Sequence, residues 1–114
     1  TTTMSPDTSW KQHERAVADL IGGKRLPASS HETVDCEGPR FVAQAKLVQR
    51  MSLDELTLCA EKIAEEAITR GKLGVVGVKV RRGAGVKSPV LMVMTDQTFR
   101  RLLGYTDGDS ASAC

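Results

Sequence analysis

RFVAQAKLVQRMSLDELTLCAEKIAEEAITRGKLGVVGVKV, residues 40–80, decides the fold. In its first part Phe41, Ala43, Ala45 and Leu47 alternate with Val42, Gln44, Lys46 and Val48, the period of a β-strand. Ser52 then opens a helix, with Glu55 three residues on as its capping-box partner. Leu53, Leu56, Ala60, Ile63 and Ala67 recur at helical spacing, widened by Cys59, Ala64 and Ile68, and Gly71 ends the helix. Val75 to Val80 is β-branched and reads as a strand interrupted by Gly77. A helix set between two strands predicts a crossover within one mixed sheet.

Upstream, Val34-Asp35-Cys36-Glu37 is a short strand, and Gly38-Pro39 makes a link short enough for a hairpin into residues 40–48. Further back, Ser9 opens a helix with Gln12 as partner. Trp10, Val17 and Ile21 share one face, Ala18 and Leu20 flank it, and Gly22-Gly23 stops it. Residues 24–34, KRLPASSHETV, give a short strand and then a loop. Downstream, residues 81–88 form a basic, glycine-containing turn. Residues 90–94, VLMVM, are continuously apolar, which predicts a strand covered on both faces. Thr95 caps a last helix with Phe99, Leu102 and Leu103 inward. Residues 1–8 and 105–114 are expected to be disordered. The expected order is αβββαββα, an α/β fold with a mixed central sheet flanked by helices.

The 114 residues suit one domain. Hydrophobic residues are 40% and charged residues 26% of the chain, as in a globular protein. Its aromatics, Trp10, Tyr105 and two phenylalanines, make no stacking platform for single strands. No apolar run reaches the roughly 18 residues of a membrane span. With no leader pattern at the start, a cytoplasmic or nucleoid setting is expected. Cys36, Cys59 and Cys114 lack metal or disulfide spacing. Net charge is only +2, but residues 51–71 hold two basic and five acidic residues, and residues 72–104 seven basic and one acidic. That asymmetry predicts one basic face compatible with nucleic acid.

Three features break the folding pattern. Glu14 lies within about 40° of Trp10 on the helical wheel, inside the apolar stripe. A carboxylate there needs a partner or a metal, unless it is a rim residue whose head reaches water. Gln44 and Lys46 project from one face of their strand. They suit a lined cleft, or else the wet face of an antiparallel strand. Asp35 and Glu37 are also two apart, and the hairpin brings one of them beside Gln44 and Lys46. Together these residues form an oxygen-rich cluster at one end of a sheet, suited to Mg2+ or Mn2+ rather than zinc. The P-loop spacing and serine-hydrolase logic are both absent.

The ordered set of Glu14, GKRLPASS at 23–30, Asp35 and QAK at 44–46, followed by a capped helix, resembles the PD-(D/E)xK nuclease superfamily. Within it, the set is similar to the archaeal-type Holliday junction resolvases that also occur in phages. Arg25-Leu26-Pro27-Ala28-Ser29 matches their R-x-P-x-S stretch. The resemblance spans residues 10–50 by motif and 52–104 by element order. It implies a restriction-endonuclease-like fold and metal-dependent hydrolysis of DNA phosphodiesters. Asp35 and Gln44 would hold Mg2+ or Mn2+, helped by the backbone carbonyl of Ala45. Lys46 would be the catalytic lysine, with Glu14 and Ser29 or Ser30 around the scissile phosphate.

Gln44 stands where the family has a glutamate. Its amide oxygen can ligate a hard cation but brings no charge, which Glu37, Glu32 or Glu14 would have to supply. Val34 replaces the proline before the aspartate. Lys24, Arg25, Ser30 and His31 near the site, and Arg81, Arg82 and Lys87 in the basic turn, are candidate DNA contacts. The expected partner is a four-way DNA junction, and its symmetric cutting asks for a homodimer. Three other readings are a nicking or repair nuclease of the same fold, a silent module that binds branched DNA without cutting it, and an interaction domain whose polar cluster is accidental.

Overall fold

A computed structural model describes residues 6–27, 33–83 and 86–104 of the chain. Helix α1 (Pro6–Leu20) is followed by strands β1 (Lys24–Arg25), β2 (Cys36–Glu37) and β3 (Phe41–Val48). Helix α2 (Leu53–Thr69), strands β4 (Leu73–Val80) and β5 (Val90–Val93), and helix α3 (Asp96–Leu102) complete the order αβββαββα. The five strands form one sheet in sequence order. The β1–β2, β2–β3 and β4–β5 pairs are antiparallel, whereas β3 and β4, joined through α2, are parallel.

The two helices cover opposite faces. Val17, Ala18 and Ile21 of α1 pack with Cys36, Ala43, Ala45 and Val75. Ala60, Ile63 and Ala67 of α2 pack with Val34, Val42, Val76 and Val78. Alternation along β3 therefore turns its odd-numbered residues toward α1 and its even-numbered ones toward α2. Ser52 caps α2 by accepting from the Glu55 N–H at 3.1 Å. At the other end Gly71, with φ of 67°, turns the chain while the Lys72 N–H reaches the Ala67 carbonyl at 2.8 Å.

Two glycines of β4 set how closely the helices approach. A Cβ on Gly77 would lie 2.5 Å from Cγ2 of Val17. A Cβ on Gly74, on the other face, would strike the backbone of α2, 2.7 Å from the Ile63 carbonyl carbon. Gly77 thus interrupts the β-branched run because α1 rests on it. His13, one turn before Val17, donates from Nε2 to the Gly77 carbonyl oxygen at 2.9 Å.

Several sequence expectations need correction. Helix α1 starts at Pro6, so Ser9 lies within it and residues 6–8 are helical. Proline fits a first helical turn, having no N–H to leave unpaired there. Leu20 is exposed, because the face toward the sheet runs through residues 13, 14, 17, 18 and 21. Leu53 and Ile68 are exposed at the two ends of α2, beyond the strands it covers. Strand β5 is a sheet edge with Leu91 and Met92 exposed, since the helices centre on β3 and β4. In α3 the buried residue is Thr98, while Phe99 and Leu103 face outward. Residues 1–5 and 105–114 lie outside the described residues.

Gly77→Ala is expected to lower stability by about 1–3 kcal/mol through overpacking against Val17. Gly74→Ala should cost more, because a helix backbone yields less than a valine side chain. Urea denaturation checks both, and a Gly77→Ala variant within about 0.5 kcal/mol of wild type would contradict this packing.

Candidate active site

Strand β3 outlasts its partner β2. Pairing runs through Cys36↔Ala43 and Glu37↔Val42, and a gap opens beside Ala45. Asp35 stands at that gap, with its backbone held on both sides. Its N–H donates to the Ala43 carbonyl at 2.9 Å, and its carbonyl accepts from the Leu26 N–H at 2.8 Å. Its side chain then takes over the ladder, Oδ2 accepting from the Ala45 N–H at 2.8 Å. Burial raises the Asp35 pKa above the usual 3.8, and nearby Glu14 also raises it. The Ala45 N–H, Lys46 and Arg25 pull in the other direction.

Glu14 reaches the same place from α1. It is only 8% exposed, so the structure rejects a rim glutamate with its head in water. Arg25 on β1 neutralises it, with Nε and Nη2 each 2.9 Å from Oε1. Beneath them the Cys36 thiol donates to the Glu14 carbonyl oxygen at 3.3 Å. Burial, then the charges of Asp35 and Glu14, push that thiol up to about 12, so it stays protonated at neutral pH.

Gln44 and Lys46 lie on the α2 side of β3, flanking Ala45 in sequence. Asp35 therefore sits just before β2, between Glu14–Arg25 on one side and Gln44–Lys46 on the other. Gln44 Oε1 is buried and has no hydrogen-bond partner among the described residues. Such an oxygen costs roughly 1–3 kcal/mol unless something binds it.

The hairpin thus selects Asp35, and the other proposed carboxylate is engaged elsewhere. Glu37 accepts from Lys72 Nζ at 2.8 Å and from Arg70 Nη1 at 3.1 Å, tying the hairpin to the end of α2. The Lys72 hydrogen bond, chiefly, lowers its pKa. Glu37, proposed as a possible metal ligand, is thus engaged by two cations. Arg25, proposed to touch DNA, is likewise held by Glu14. Lys24, Arg81, Arg82 and Lys87 are exposed. Ser29, Ser30 and His31, with Glu32, lie outside the described residues. Among the described residues no three His, Cys, Asp or Glu side chains are grouped to hold a metal ion.

Sequence reasoning passed over His13, which is buried at 4% exposure against β4. Its wheel position beside Val17 was a usable signal. It also passed over Lys72 and Arg70, whose link to Glu37 only tertiary structure reveals. No helix among the described residues is long and apolar enough to cross a membrane. Comparison with family models, curated proteins and solved structures returns no match for the chain.

Asp35 and Glu37 have opposite linkage to pH. A raised native pKa means the fold binds the Asp35 proton more tightly than the unfolded chain does. Ionising Asp35 therefore costs stability as pH rises from about 3.8 through its native pKa. Glu37 stabilises the fold above its unfolded value of about 4.5 and loses that contribution as pH falls through its lowered pKa. Asp35→Asn should be more stable than wild type at neutral pH and no different in strong acid. Glu37→Gln should be less stable at neutral pH, again with the difference closing in acid. Thermal unfolding against pH checks both, and an Asp35→Asn variant less stable than wild type at neutral pH would contradict the buried carboxylate.

Proposed function

We propose that the protein is a metal-dependent, structure-selective DNA endonuclease of the Holliday-resolvase type. The observation that carries this reading is the unpartnered Gln44 Oε1 beside Lys46, at the gap where Asp35 replaces the backbone of β2. A buried oxygen without a donor among the described residues, near a half-buried carboxylate, fits an oxygen-coordinated hard cation. The element order and the parallel β3–β4 pair between two helices also accord with a restriction-endonuclease-like core.

In this reading Asp35, Gln44 Oε1 and the Ala45 backbone carbonyl would hold Mg2+ or Mn2+. When bound, such an ion acidifies water and offsets charge on the phosphoryl oxygens. Lys46 would orient the attacking water from the α2 side and counter the charge developing on the phosphate. Glu14, fixed by Arg25, would shape the opposite wall and hold the guanidinium near the scissile group. With Glu14 paired and Gln44 uncharged, Asp35 carries the free negative charge, so the ion would bind weakly without DNA. A four-way junction is cut symmetrically on two strands, so the acting species would be a two-fold homodimer.

The same shortage of charge favours one other reading, a fold that binds branched DNA and has lost cleavage. A labelled four-way junction beside a matched linear duplex, in Mg2+, Mn2+ or EDTA, separates the two. The proposal expects junction-selective, metal-dependent cutting that Lys46→Ala reduces at least about a hundredfold. Gln44→Glu should lower the metal concentration needed for cutting. Tight junction binding with no cutting in either metal would replace the nuclease with the silent module. Neither binding nor cutting would remove both.

A further inference from the structure

A cavity lies on the α1 face of the sheet. It has a volume of about 710 Å3 and opens between the first half of α1 and the ends of β3 and β4. Leu47 lines it from the face of β3 opposite to Gln44 and Lys46. Its wall carries Lys79, Arg81 and Arg82, and no carboxylate among the described lining residues. Ser9, Gln49 and Ser88 add neutral polar groups.

His13 also lines this cavity. Its Nε2 is committed to the Gly77 carbonyl, which fixes the ring, and its Nδ1 is buried with no partner among the described residues. With Nε2 donating, Nδ1 of the neutral ring is left as an acceptor, suited to a hydroxyl or N–H of a ligand rather than to an unprotonated phosphate oxygen. Three cations with no carboxylate among the described lining residues favour an anion, and arginines favour phosphate geometry in particular. The volume admits a group the size of a mononucleotide.

We propose that this cavity is a phosphate-binding pocket in which Lys79, Arg81 and Arg82 hold the oxyanion, while His13 Nδ1 accepts from a P–OH or a hydroxyl of the same ligand. The pocket is separate from the Asp35 centre and does not rest on the nuclease reading. The phosphate would come from a nucleic-acid strand or from a free nucleotide, and the two sources present the same oxygens to the same wall.

The test is NMR of the His13 ring in the full chain. The probes are inorganic phosphate, a nucleoside monophosphate, and a short single-stranded oligonucleotide with and without a 5′-phosphate. At least one probe should shift the His13 ring resonances, and a combined Lys79→Gln, Arg81→Gln variant should weaken that probe at least about tenfold. Arg82→Gln is a second, milder variant at an exposed position. A response to phosphate or the nucleotide assigns a free ligand, and a response to the oligonucleotides alone assigns a strand. An unmoved ring with every probe, or equal affinity in both variants and wild type, overturns the proposal. Lys46→Ala should bind the probe as wild type does, so a protein that cuts no junction can still pass this test.

Discussion

The close contact between α1 and Gly77 of β4 sets the position of everything else in this molecule. A strand residue with a side chain would lift α1 off the sheet. Gly77 and the small residues Ala43 and Ala45 let the helix settle, with Val17 against the glycine and the His13 ring bonded to its carbonyl. That depth brings Glu14, between those two residues, down to the level of Arg25 and Asp35. The same contact turns His13 toward the cationic cavity at the strand ends. One packing constraint thus places both the Asp35–Glu14 cluster and the cavity lined by Lys79, Arg81 and Arg82.

The second constraint is the early departure of β2 from β3. Where β2 ends, a buried backbone N–H of β3 loses its ladder partner, and the side chain of Asp35 satisfies the one on Ala45. The arrangement keeps a carboxylate half-buried in a place where burial raises its pKa. Stability alone does not favour that choice, since a neutral acceptor would serve the Ala45 N–H with less penalty. Together with the unpartnered oxygen of Gln44, it concentrates unsatisfied polarity at one point of the sheet. That concentration is the physical basis for placing a reactive centre there.

Much of this architecture was legible in the sequence because local chemistry specified it. The alternation of residues 41–48, the Ser52 cap and Gly71 stop, and the tight link through Gly38 and Pro39 each act over a few residues. They gave the element order and the hairpin. Which strand lies at an edge depends on tertiary pairing, so VLMVM read as fully covered although β5 is an edge. The distinction between Asp35 and Glu37 depended on where β2 ends and on Lys72, distant in sequence, and spacing carried neither. The wheel position of His13 beside Val17 pointed inward, but its partner, the Gly77 carbonyl, is one that no side-chain pattern announces. The reason for Gly77 was equally hidden, because only the approach of α1 explains it.

The central claim is that Asp35, Gln44 and the Ala45 backbone form one cation-binding centre. Paramagnetic broadening by Mn2+ in an NMR titration tests it most directly. The account predicts that the earliest signals lost are the backbone amides of Asp35 and Ala45 and the side-chain amide of Gln44. Signals from Glu37, and from Arg70 at the end of α2, should be lost only at higher Mn2+. First broadening at Glu37 or along the acidic face of α2, or no selective broadening at all, would contradict the claim.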